Sequence, residues 1–323
     1  MSKIRVGVVR GGPSAEYPVS LKTGESVLRN LDAGKYAPVD ILLTKRGEWY
    51  MKGLRTDLGS IAERVDVIWN ALHGTFGEDG KAQRLFESFG IPYTGSDTLA
   101  SALGMHKGLA KERFKEAGLF TSDGVVAASG DRFDDIMDEL TRNPNLRPPV
   151  IVKPIAGGSS VATKIVWDVS ELQEAINEAS RYGDVLIEEY LPGKEATVCV
   201  VDGSEEGASL VFHPIEIVPP ESNGFFDYEA KYSGISKEIC PGRFTPDEHD
   251  QLRDLALRAH RAIGARHYSR SDFIVSPRGI AILEINTLPG LTEESLFPKA
   301  LHAGGVTLPE FIDHVIALAL YKK

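Results

Sequence analysis

Four polar side chains near the end of the chain have the types and spacing to bind a metal ion. They are Arg270, Asp272, Glu284 and Asn286, and they lie in two apolar runs that flank the turn-like sequence at 276–279. If that turn sets the register of an antiparallel hairpin, Asp272 lies opposite Glu284. Arg270 then lies opposite Asn286. Strand side chains alternate in direction, so all four point to one face of the sheet.

The chemistry of this cluster is that of a hard oxygen site. Two carboxylates and an amide oxygen suit Mg²⁺ better than zinc or a redox metal. The alternative is a cross-strand ion pair on a solvated sheet face. A glycine turn follows directly at 287–290, and its backbone N–H groups can approach a substrate closely. This turn favours a functional site over a solvated ion pair.

A second cluster, in the middle of the chain, has the composition of a phosphate site. Lys153 ends an apolar run and precedes the glycine-rich loop at 155–160. Such a loop can close its N–H groups over phosphate, although glycine-rich turns are also common without a ligand. Lys107, on a predicted helix, is a second candidate cation, unless it is an ordinary solvated lysine. The strand predicted at 184–190 runs into a carboxylate-rich bend that could contact adenine and ribose.

Two common nucleotide-binding motifs are absent from the sequence. No GxxxxGK[ST] segment occurs, and the end of the first strand at 10–16 lacks the GxGxxG spacing. The second strand ends in Thr-Lys-Arg at 44–46 rather than in an acidic ribose ligand. The sequence therefore predicts neither a P-loop nor a dinucleotide-binding fold.

Composition and charge exclude several classes of protein. The 323 residues are 42% hydrophobic and 25% charged, which is typical of globular proteins, and their number suits two or three packed units. A net charge of −10 argues against a nucleic-acid partner, although it would hide a locally basic cleft. Cys199 and Cys240, the two cysteines, have no metal or disulfide spacing. With no signal segment and no run of membrane-spanning length, we expect a cytoplasmic protein without a membrane partner.

The order of predicted elements indicates an α/β fold, α+β overall. Alternating strands and helices over the first hundred residues predict a parallel sheet. The predicted strands there are 4–9, 39–44, 65–72 and 91–94, and the helices 20–31 and 81–89. We expect three domains, 1–97, 98–183 and 184–323. The second begins with one helix over 101–116, and the third contains an ordered, aromatic-rich lid loop at 219–240.

Together these segments resemble the D-alanine–D-alanine ligases of the ATP-grasp superfamily. The matching stretches are 11–20 (GGPSAEYPVS), 73–80 (HGTFGEDG), 150–154 (VIVKP), 158–161 (GSSV), 227–232 (DYEAKY), 270–273 (RSDF), 284–290 (EINTLPG) and 295–296 (SL). Two departures stand out. His106 replaces a common aspartate before Lys107, and the glycine loop has Ala-Gly at 156–157 and Ala162 where relatives often have Arg-Glu and glycine.

The resemblance implies a three-domain ATP-grasp architecture with a Rossmann-like N-terminal sheet, and a ligase that uses ATP. ATP would phosphorylate the carboxylate of one D-alanine, and the amine of a second would then displace phosphate to give the dipeptide used in peptidoglycan synthesis. Mg²⁺, as two ions and with Mn²⁺ as a substitute, would be held by Asp272, Glu284 and Asn286. Relatives are often homodimers, and we expect the same here.

The resemblance also implies roles for individual residues. The nucleotide would be bound by Lys107, Lys153, Ser159, Ser160, Glu188, Glu189, Tyr190, Leu191, Glu195 and Lys231. The amino acids would be bound by Glu16, His73, Arg270, Gly290, Ser295 and Leu296. Arg270 and the N–H of Gly290 would stabilise the oxyanion, and Ser159 and Tyr232 would link Glu16 to the lid, so that closure excludes water.

Several alternatives stay open at this point. Glu16 and Ser295 could cap helices, His73 could bond a loop carbonyl, and Tyr232 could be a packing residue. For the whole protein, a ligase with a different second D-amino acid or D-hydroxy acid competes with the alanine ligase, although Tyr232 favours alanine. A nucleotide-binding sensor without catalysis is the third hypothesis, and the presence of Arg270 beside the acidic residues argues against it.

Overall fold

Three β-sheets and ten α-helices form the part of the chain that the structure, a computed structural model, describes. That part comprises residues 2–158, 161–205, 207–219 and 237–321. The mixed α/β class predicted from the sequence is confirmed.

The N-terminal sheet is parallel at its centre and has an antiparallel hairpin at one edge. Its order is β4-β3-β2-β1-β5, with β1, β2 and β5 parallel. The strands are β1 (Ile4–Gly11), β2 (Tyr36–Leu43), β3 (Trp49–Met51), β4 (Leu54–Thr56) and β5 (Val67–Asn70), and the helices are α1 (Tyr17–Asn30), α2 (Leu58–Ala62) and α3 (Lys81–Ser88). Both faces of β1 are covered, since Val8 and Val9 belong to different core clusters, which explains its unbroken apolar run.

Two details of this sheet differ from the prediction. The hairpin β3-β4 was not predicted; its turn is made by Lys52 and Gly53, both with positive φ. The strand predicted at 91–94 is wrong, because only one bridge forms, between Tyr93 and Ile68. Pro92 has no N–H to extend the ladder.

The predicted single helix over 101–116 is wrong as well. It is divided into α4 (Thr98–Met105) and α5 (Lys107–Glu116), with an extended residue, His106, between them. His106 Nδ1 accepts a hydrogen bond from Leu109 N at 3.2 Å and so caps α5. The backbone of His106 also forms an antiparallel β-bridge with Ala156 on the glycine loop. The break therefore ties the start of α5 to that loop.

The central sheet is antiparallel, with the order β6-β9-β7-β8. Its strands are β6 (Gly124–Ala127), β7 (Val150–Pro154), β8 (Lys164–Val166) and β9 (Val185–Glu189), and α6 (Phe133–Arg142) and α7 (Leu172–Ala179) cover it. β9 begins just beyond the predicted domain boundary at 183, yet it pairs with β6 and β7.

The C-terminal sheet has the order β13-β12-β10-β14-β15, and β11 also pairs with β10. Its strands are β10 (Lys194–Asp202), β11 (Ser209–Val211), β12 (Ile215–Val218), β13 (Lys237–Ile239), β14 (Tyr268–Ser276) and β15 (Gly279–Asn286). The helices are α8 (Pro246–Ala262), α9 (Leu296–Ala303) and α10 (Leu308–Tyr321). One face packs on α8 through residues such as Val198, Leu252 and Phe273, which leaves part of the other face for the site.

The predicted pairing in the β14-β15 hairpin is confirmed, but the turn alone does not produce it. Counting from the pair Ser276 and Gly279, the register reaches Phe273 opposite Ile282. It then shifts, so that Asp272 faces Glu284 and Leu283 is the extra residue of a β-bulge. Leu283 and Glu284 consequently line the same cavity. Arg270 faces Asn286, as predicted.

No single helix among the described residues is long and apolar enough to cross a membrane. Helices α9 and α10 have the length and composition only when taken together, across a bend of 102°. Phe297, Phe311 and Val315 from this pair lie in the protein core.

Candidate active site

Two adjoining cavities run through the molecule. The first, of about 490 Å³, lies between the central and C-terminal sheets, and its lining includes Lys153, Glu188 and Asp272. The second, of about 1380 Å³, extends to α1 and is lined in part by His73 and Ser295. They share the lining residues Ala15, Glu16, Lys107, Gly157, Gly158, Val161, Arg270, Glu284 and Leu296. A nucleotide in one cavity would therefore lie directly beside smaller molecules in the other.

The predicted metal ligands and Arg270 lie where the cavities meet. Arg270 holds Asp272 with two hydrogen bonds, Nε to Oδ1 at 3.0 Å and Nη2 to Oδ2 at 2.8 Å. Thr197 donates its hydroxyl to the same carboxylate. Although burial opposes it, the carboxylate of Asp272 raises the pKa of Arg270 above its usual value, so this guanidinium is permanently charged.

The solvated ion pair considered from the sequence does not describe these side chains. Arg270 is 7% exposed, and both Asp272 and Glu284 face a cavity rather than an open surface. Glu284 Oε2 lies 3.4 Å from Lys107 Nζ. Asn286 Oδ1 accepts a hydrogen bond from Leu288 N at 2.8 Å and keeps a second lone pair.

The donor set fits a Mg²⁺ ion whose remaining coordination positions are filled by the phosphate oxygens of a ligand. No cluster of three or more His, Cys, Asp or Glu side chains in the described ranges has the geometry to hold a metal ion. The predicted set contains only two carboxylates, Asp272 and Glu284, with the amide of Asn286. Mg²⁺ is commonly bound in this way, by one or two carboxylates, while phosphate oxygens and water fill the other positions.

Two lysines predicted from the sequence line the first cavity, and a third lies behind it. Lys107 is buried, against the expectation for a lone helical lysine, and donates to Gly157 O at 2.8 Å. Gly157 N in turn donates to Met105 Sδ at 3.3 Å, so both ends of that residue are fixed by the α4-α5 break. Lys153 forms an ion pair with Glu188.

The third lysine, Lys111, was missed by the sequence analysis. It lies one turn beyond Lys107 on α5, and its Nζ is 2.8 Å from Glu188 Oε2. Thr121 and Ser122 also accept hydrogen bonds from it. Burial alone would raise the pKa of Glu188, but the two lysines lower it to about 2. The i, i+4 spacing of the lysines was a usable signal, but their burial was not visible in the sequence.

The bend after β9 lines part of the first cavity. Glu188, Glu189, Tyr190, Leu191 and Glu195 all line it. Glu188 is 1% exposed, whereas Glu189 forms an ion pair with Arg278. The Tyr190 ring packs on Trp167, with centroids 5.7 Å apart. Glu195 stands on β10 between Ile217 and Ile274.

On the other side of the site, a half-buried Glu16 and a buried His73 both line the second cavity. Glu16 precedes α1 but does not cap it with its side chain. A Cβ atom on Gly74 would lie 2.5 Å from Glu16 Oε2, so the carboxylate packs against backbone that only glycine allows. His73 Nε2 is 2.8 Å from Thr23 Oγ1, and its Nδ1 is 3.4 Å from Glu78 Oε1. His73 thus bonds side chains rather than a loop carbonyl.

Burial of Glu78 gives this end an unusual carboxyl group. Glu78 Oε1 accepts a hydrogen bond from Gly74 N at 2.8 Å. Burial raises the pKa of Glu78 above its usual value of 4.5, helped by Glu16 and opposed by the hydrogen bond to His73. The sequence motif contains this residue, but its role was not recognised there.

Gly290, Ser295 and Leu296 border the second cavity, close to the metal ligands. A Cβ atom on Gly290 would lie 3.0 Å from Ser295 Oγ. The Ser295 hydroxyl does not cap α9; it accepts a hydrogen bond from Thr292 N at 3.2 Å. The capping alternative for Ser295 therefore does not hold.

Four predicted site residues lie outside the described residues. They are Ser159, Ser160, Lys231 and Tyr232, and most of the predicted lid at 219–240 lies there too. Their predicted roles, including the link from Glu16 to the lid, stay predictions.

Two family models match most of the chain. The D-ala D-ala ligase C-terminus matches residues 114–317, and the D-ala D-ala ligase N-terminus matches residues 5–62 and 54–96. A D-alanine–D-alanine ligase of Syntrophobacter fumaroxidans is 40% identical over 322 residues, which cover 98% of each chain. One of Desulfotalea psychrophila is 39% identical over 99% of this chain and 96% of its own.

Solved structures resemble the whole chain. The VanG D-Ala:D-Ser ligase from Enterococcus faecalis is 30% identical, with a TM-score of 0.87 over 98% of this chain and 100% of its own. The D-alanine–D-alanine ligase from Bacillus anthracis complexed with ATP is 31% identical, with a TM-score of 0.81 over 98% of this chain and 97% of its own.

Proposed function

Given that this chain belongs to the D-alanine–D-alanine ligase family, we propose that it joins two D-alanine molecules at the expense of ATP. The product is the dipeptide needed for peptidoglycan precursors. One observation carries this assignment to the site: Asp272, paired with Arg270, faces Glu284, which pairs with Lys107, at the point where the two cavities meet.

The nucleotide is assigned to the first cavity. Glu188 and the bend to Glu195 surround the adenosine end, while Lys107 and Lys153 face the phosphates. Mg²⁺, held by Asp272, Glu284 and Asn286, would neutralise charge on the phosphate oxygens. Phosphoryl transfer depends on positioning and charge neutralisation, and these residues supply both.

The chemistry takes place in two steps. A carboxylate oxygen of the first D-alanine attacks the terminal phosphorus of ATP, and ADP leaves with the bonding electrons. The amine of the second D-alanine then attacks the acyl carbon, loses a proton and displaces phosphate. Arg270 and the N–H of Gly290 stabilise the oxyanion formed at that carbon, where each well-placed donor contributes about 3 kcal/mol.

The two amino acids are assigned to the second cavity. Glu16 receives the ammonium of the first, with His73 near its carboxylate. Ser295, beside Gly290 and Leu296, receives the carboxylate of the second. The roles assigned from the sequence to Ser159, Ser160, Lys231 and Tyr232 belong to the same proposal, as do binding of two Mg²⁺ ions, a homodimer, a cytoplasmic location and the division into domains at 97 and 183.

The test is to incubate purified protein with ATP, Mg²⁺ and D-alanine, and to measure dipeptide and phosphate. We expect equal amounts of both. A panel with D-serine and D-lactate as second substrates distinguishes the alanine ligase from the alternative ligases. A higher kcat/KM for either compound than for D-alanine would identify it as the preferred second substrate. Nucleotide binding without any product would support a sensor instead.

A further inference from the structure

A buried group of three charges lies behind the first cavity. Glu188 is 1% exposed, and its two oxygens are divided between two lysines. Lys153 pairs with Oε1 and faces the cavity, whereas Lys111 pairs with Oε2 at 2.8 Å. Lys111 is not among the described residues that line either cavity. The carboxylate therefore has one partner in contact with the ligand space and one behind it.

The contacts of Lys111 fix it in place. Its ammonium donates to Thr121 Oγ1 at 2.9 Å, to Ser122 O at 3.0 Å and to Ser122 Oγ at 2.6 Å, besides its ion pair. An ammonium has three protons, so these acceptors use its full capacity. Ser122 Oγ also donates to Glu188 Oε2 at 3.0 Å. Lys111 thus has no donor left for a ligand.

We propose that Lys111 is a fixed counter-ion that keeps Glu188 ionised and oriented while Lys153 turns from Glu188 to the phosphates of the bound nucleotide. The inference rests on the proposed function, in which the first cavity takes ATP. Lys111 is accordingly a positioning residue, since it acts through Glu188 and Lys153.

The physical reason is the cost of an unpaired charge in the interior. If Lys153 were the sole partner of Glu188, its movement to a phosphate would leave a buried carboxylate without a counter-ion, which is strongly unfavourable. With Lys111 in place, Oε2 stays paired and Oε1 becomes free to accept an N–H of the ligand. The lowered pKa of Glu188 agrees with a carboxylate that stays ionised in this setting.

The test measures ATP affinity by calorimetry without D-alanine. We expect Lys111→Met to raise the Kd for ATP by about tenfold. Adding Glu188→Gln to Lys111→Met should recover part of that loss, because a neutral side chain releases Lys153. If Lys111 only packs, the double variant binds no better than Lys111→Met, which would overturn the proposal, as would unchanged affinity in Lys111→Met.

Two further variants control for folding and for general charge. Lys115→Met removes a half-exposed lysine one turn further along α5 and should leave the Kd unchanged. If Lys111→Met does not fold, Ser122→Ala removes the hydroxyl shared by Lys111 and Glu188. It should weaken ATP binding in the same direction, by about threefold, and an unchanged Kd would contradict the proposal.

Failure of this inference is distinguishable from failure of the proposed function. Wild-type protein that ligates D-alanine, with Lys111→Met binding ATP equally well, overturns the inference alone. Wild-type protein that binds ATP but forms no dipeptide overturns the function, and the affinity changes still decide the inference. Wild-type protein that does not bind ATP overturns both.

Discussion

Each charged side chain at the centre of the site has its geometry set by more than one contact. Asp272 is held by two nitrogen atoms of Arg270 and by the Thr197 hydroxyl. Glu188 is held by two lysines. Buried ion pairs of this kind contribute little net stability, since desolvation of the charges offsets their attraction. Removing one partner, however, leaves a buried charge unpaired, so we expect only a substitution that keeps the charge of Arg270 to alter activity more than folding.

Arg270→Lys tests this separation. Lysine keeps the charge but loses the two parallel hydrogen bonds to Asp272 and the donors directed at the oxyanion. We expect kcat to fall by about 10² to 10³, measured as phosphate release with D-alanine and ATP. Arg5→Lys is the control, because it breaks a similar bidentate pair, with Asp66, at an exposed site. Equal losses in the two variants would contradict the role of Arg270.

Glu78 makes stability depend on pH in an uncommon direction. Because burial raises its pKa in the folded protein, the folded state binds this proton more tightly than the unfolded state. The contribution of Glu78 to stability therefore falls as the pH rises above the unfolded value near 4.5. Glu78→Gln cannot ionise and keeps an oxygen for Gly74 N, so its stability relative to wild type should increase with pH.

Urea unfolding from about pH 5 to about pH 8 measures this difference. Glu87→Gln is the control. Hydrogen bonds from Tyr93 and Thr98 outweigh the burial of Glu87 and lower its pKa, so we expect its difference from wild type to be constant over that range. A difference for Glu78→Gln that is constant, or that decreases with pH, would show that Glu78 does not hold its proton in the folded state.

At the level of strands and helices, the pairing of strands was easier to predict from the sequence than bulges and helix breaks. The prediction that Asp272 faces Glu284 was correct. The register reaches this pair only through a bulge at Leu283, which the type of turn does not predict. The division between α4 and α5 was missed although Gly104 and Gly108 flank it, because isolated glycines also occur inside helices. The cap and bridge at His106 that produce it depend on tertiary contact with the glycine loop.

The candidate site was predictable in its charges but not in its burial. The family motifs contain several of the residues that line the cavities, including Glu16, Arg270 and Ser295. Lys111 and Thr197 were missed, since a lysine on a helix and a threonine in a strand are ordinary in sequence. Their importance becomes visible only when Glu188 and Asp272 are placed beside them.

The cap of α5 gives a prediction for stability. His106→Ala removes the acceptor for Leu109 N and should lower the free energy of unfolding by about 1 kcal/mol. His106→Asp should retain stability, because a carboxylate caps a helix equally well and is favourable near its N-terminus. Denaturant unfolding measures both. Arg132→Ala is the control, since Arg132 precedes α6 without a side-chain cap. Equal losses for alanine and aspartate at 106 would refute the capping role.

On the scale of the whole molecule, an acidic chain places several cations at one site. The chain carries a net charge of −10, yet Lys107, Lys153 and Arg270 line the first cavity, and Lys111 lies behind it. The cavities are lined by residues from different sheets, so a ligand that binds there contacts several parts of the fold at once. Nucleotide binding should therefore stabilise the whole protein.

The predicted effect of Mg²⁺ follows from this arrangement. ATP should raise the Tm more with Mg²⁺ than with a chelator, because a ligand that binds only the folded state stabilises it according to its affinity. A variant combining Asp272→Asn and Glu284→Gln should lose the difference between the two conditions. Thermal unfolding with ATP and with buffer alone measures it. A Mg²⁺-dependent shift that persists in the variant would place the metal elsewhere.

The fate of one oxygen atom tests the central claim, that this site activates a D-alanine carboxylate by phosphorylating it. D-alanine labelled with ¹⁸O in its carboxylate is incubated with the wild-type protein, ATP and Mg²⁺, and the released phosphate is analysed by mass spectrometry. We expect each phosphate to carry one ¹⁸O atom and to be matched by one dipeptide, because the bridging oxygen of the acyl phosphate leaves with phosphorus. Unlabelled phosphate, or phosphate released without dipeptide, would contradict the account.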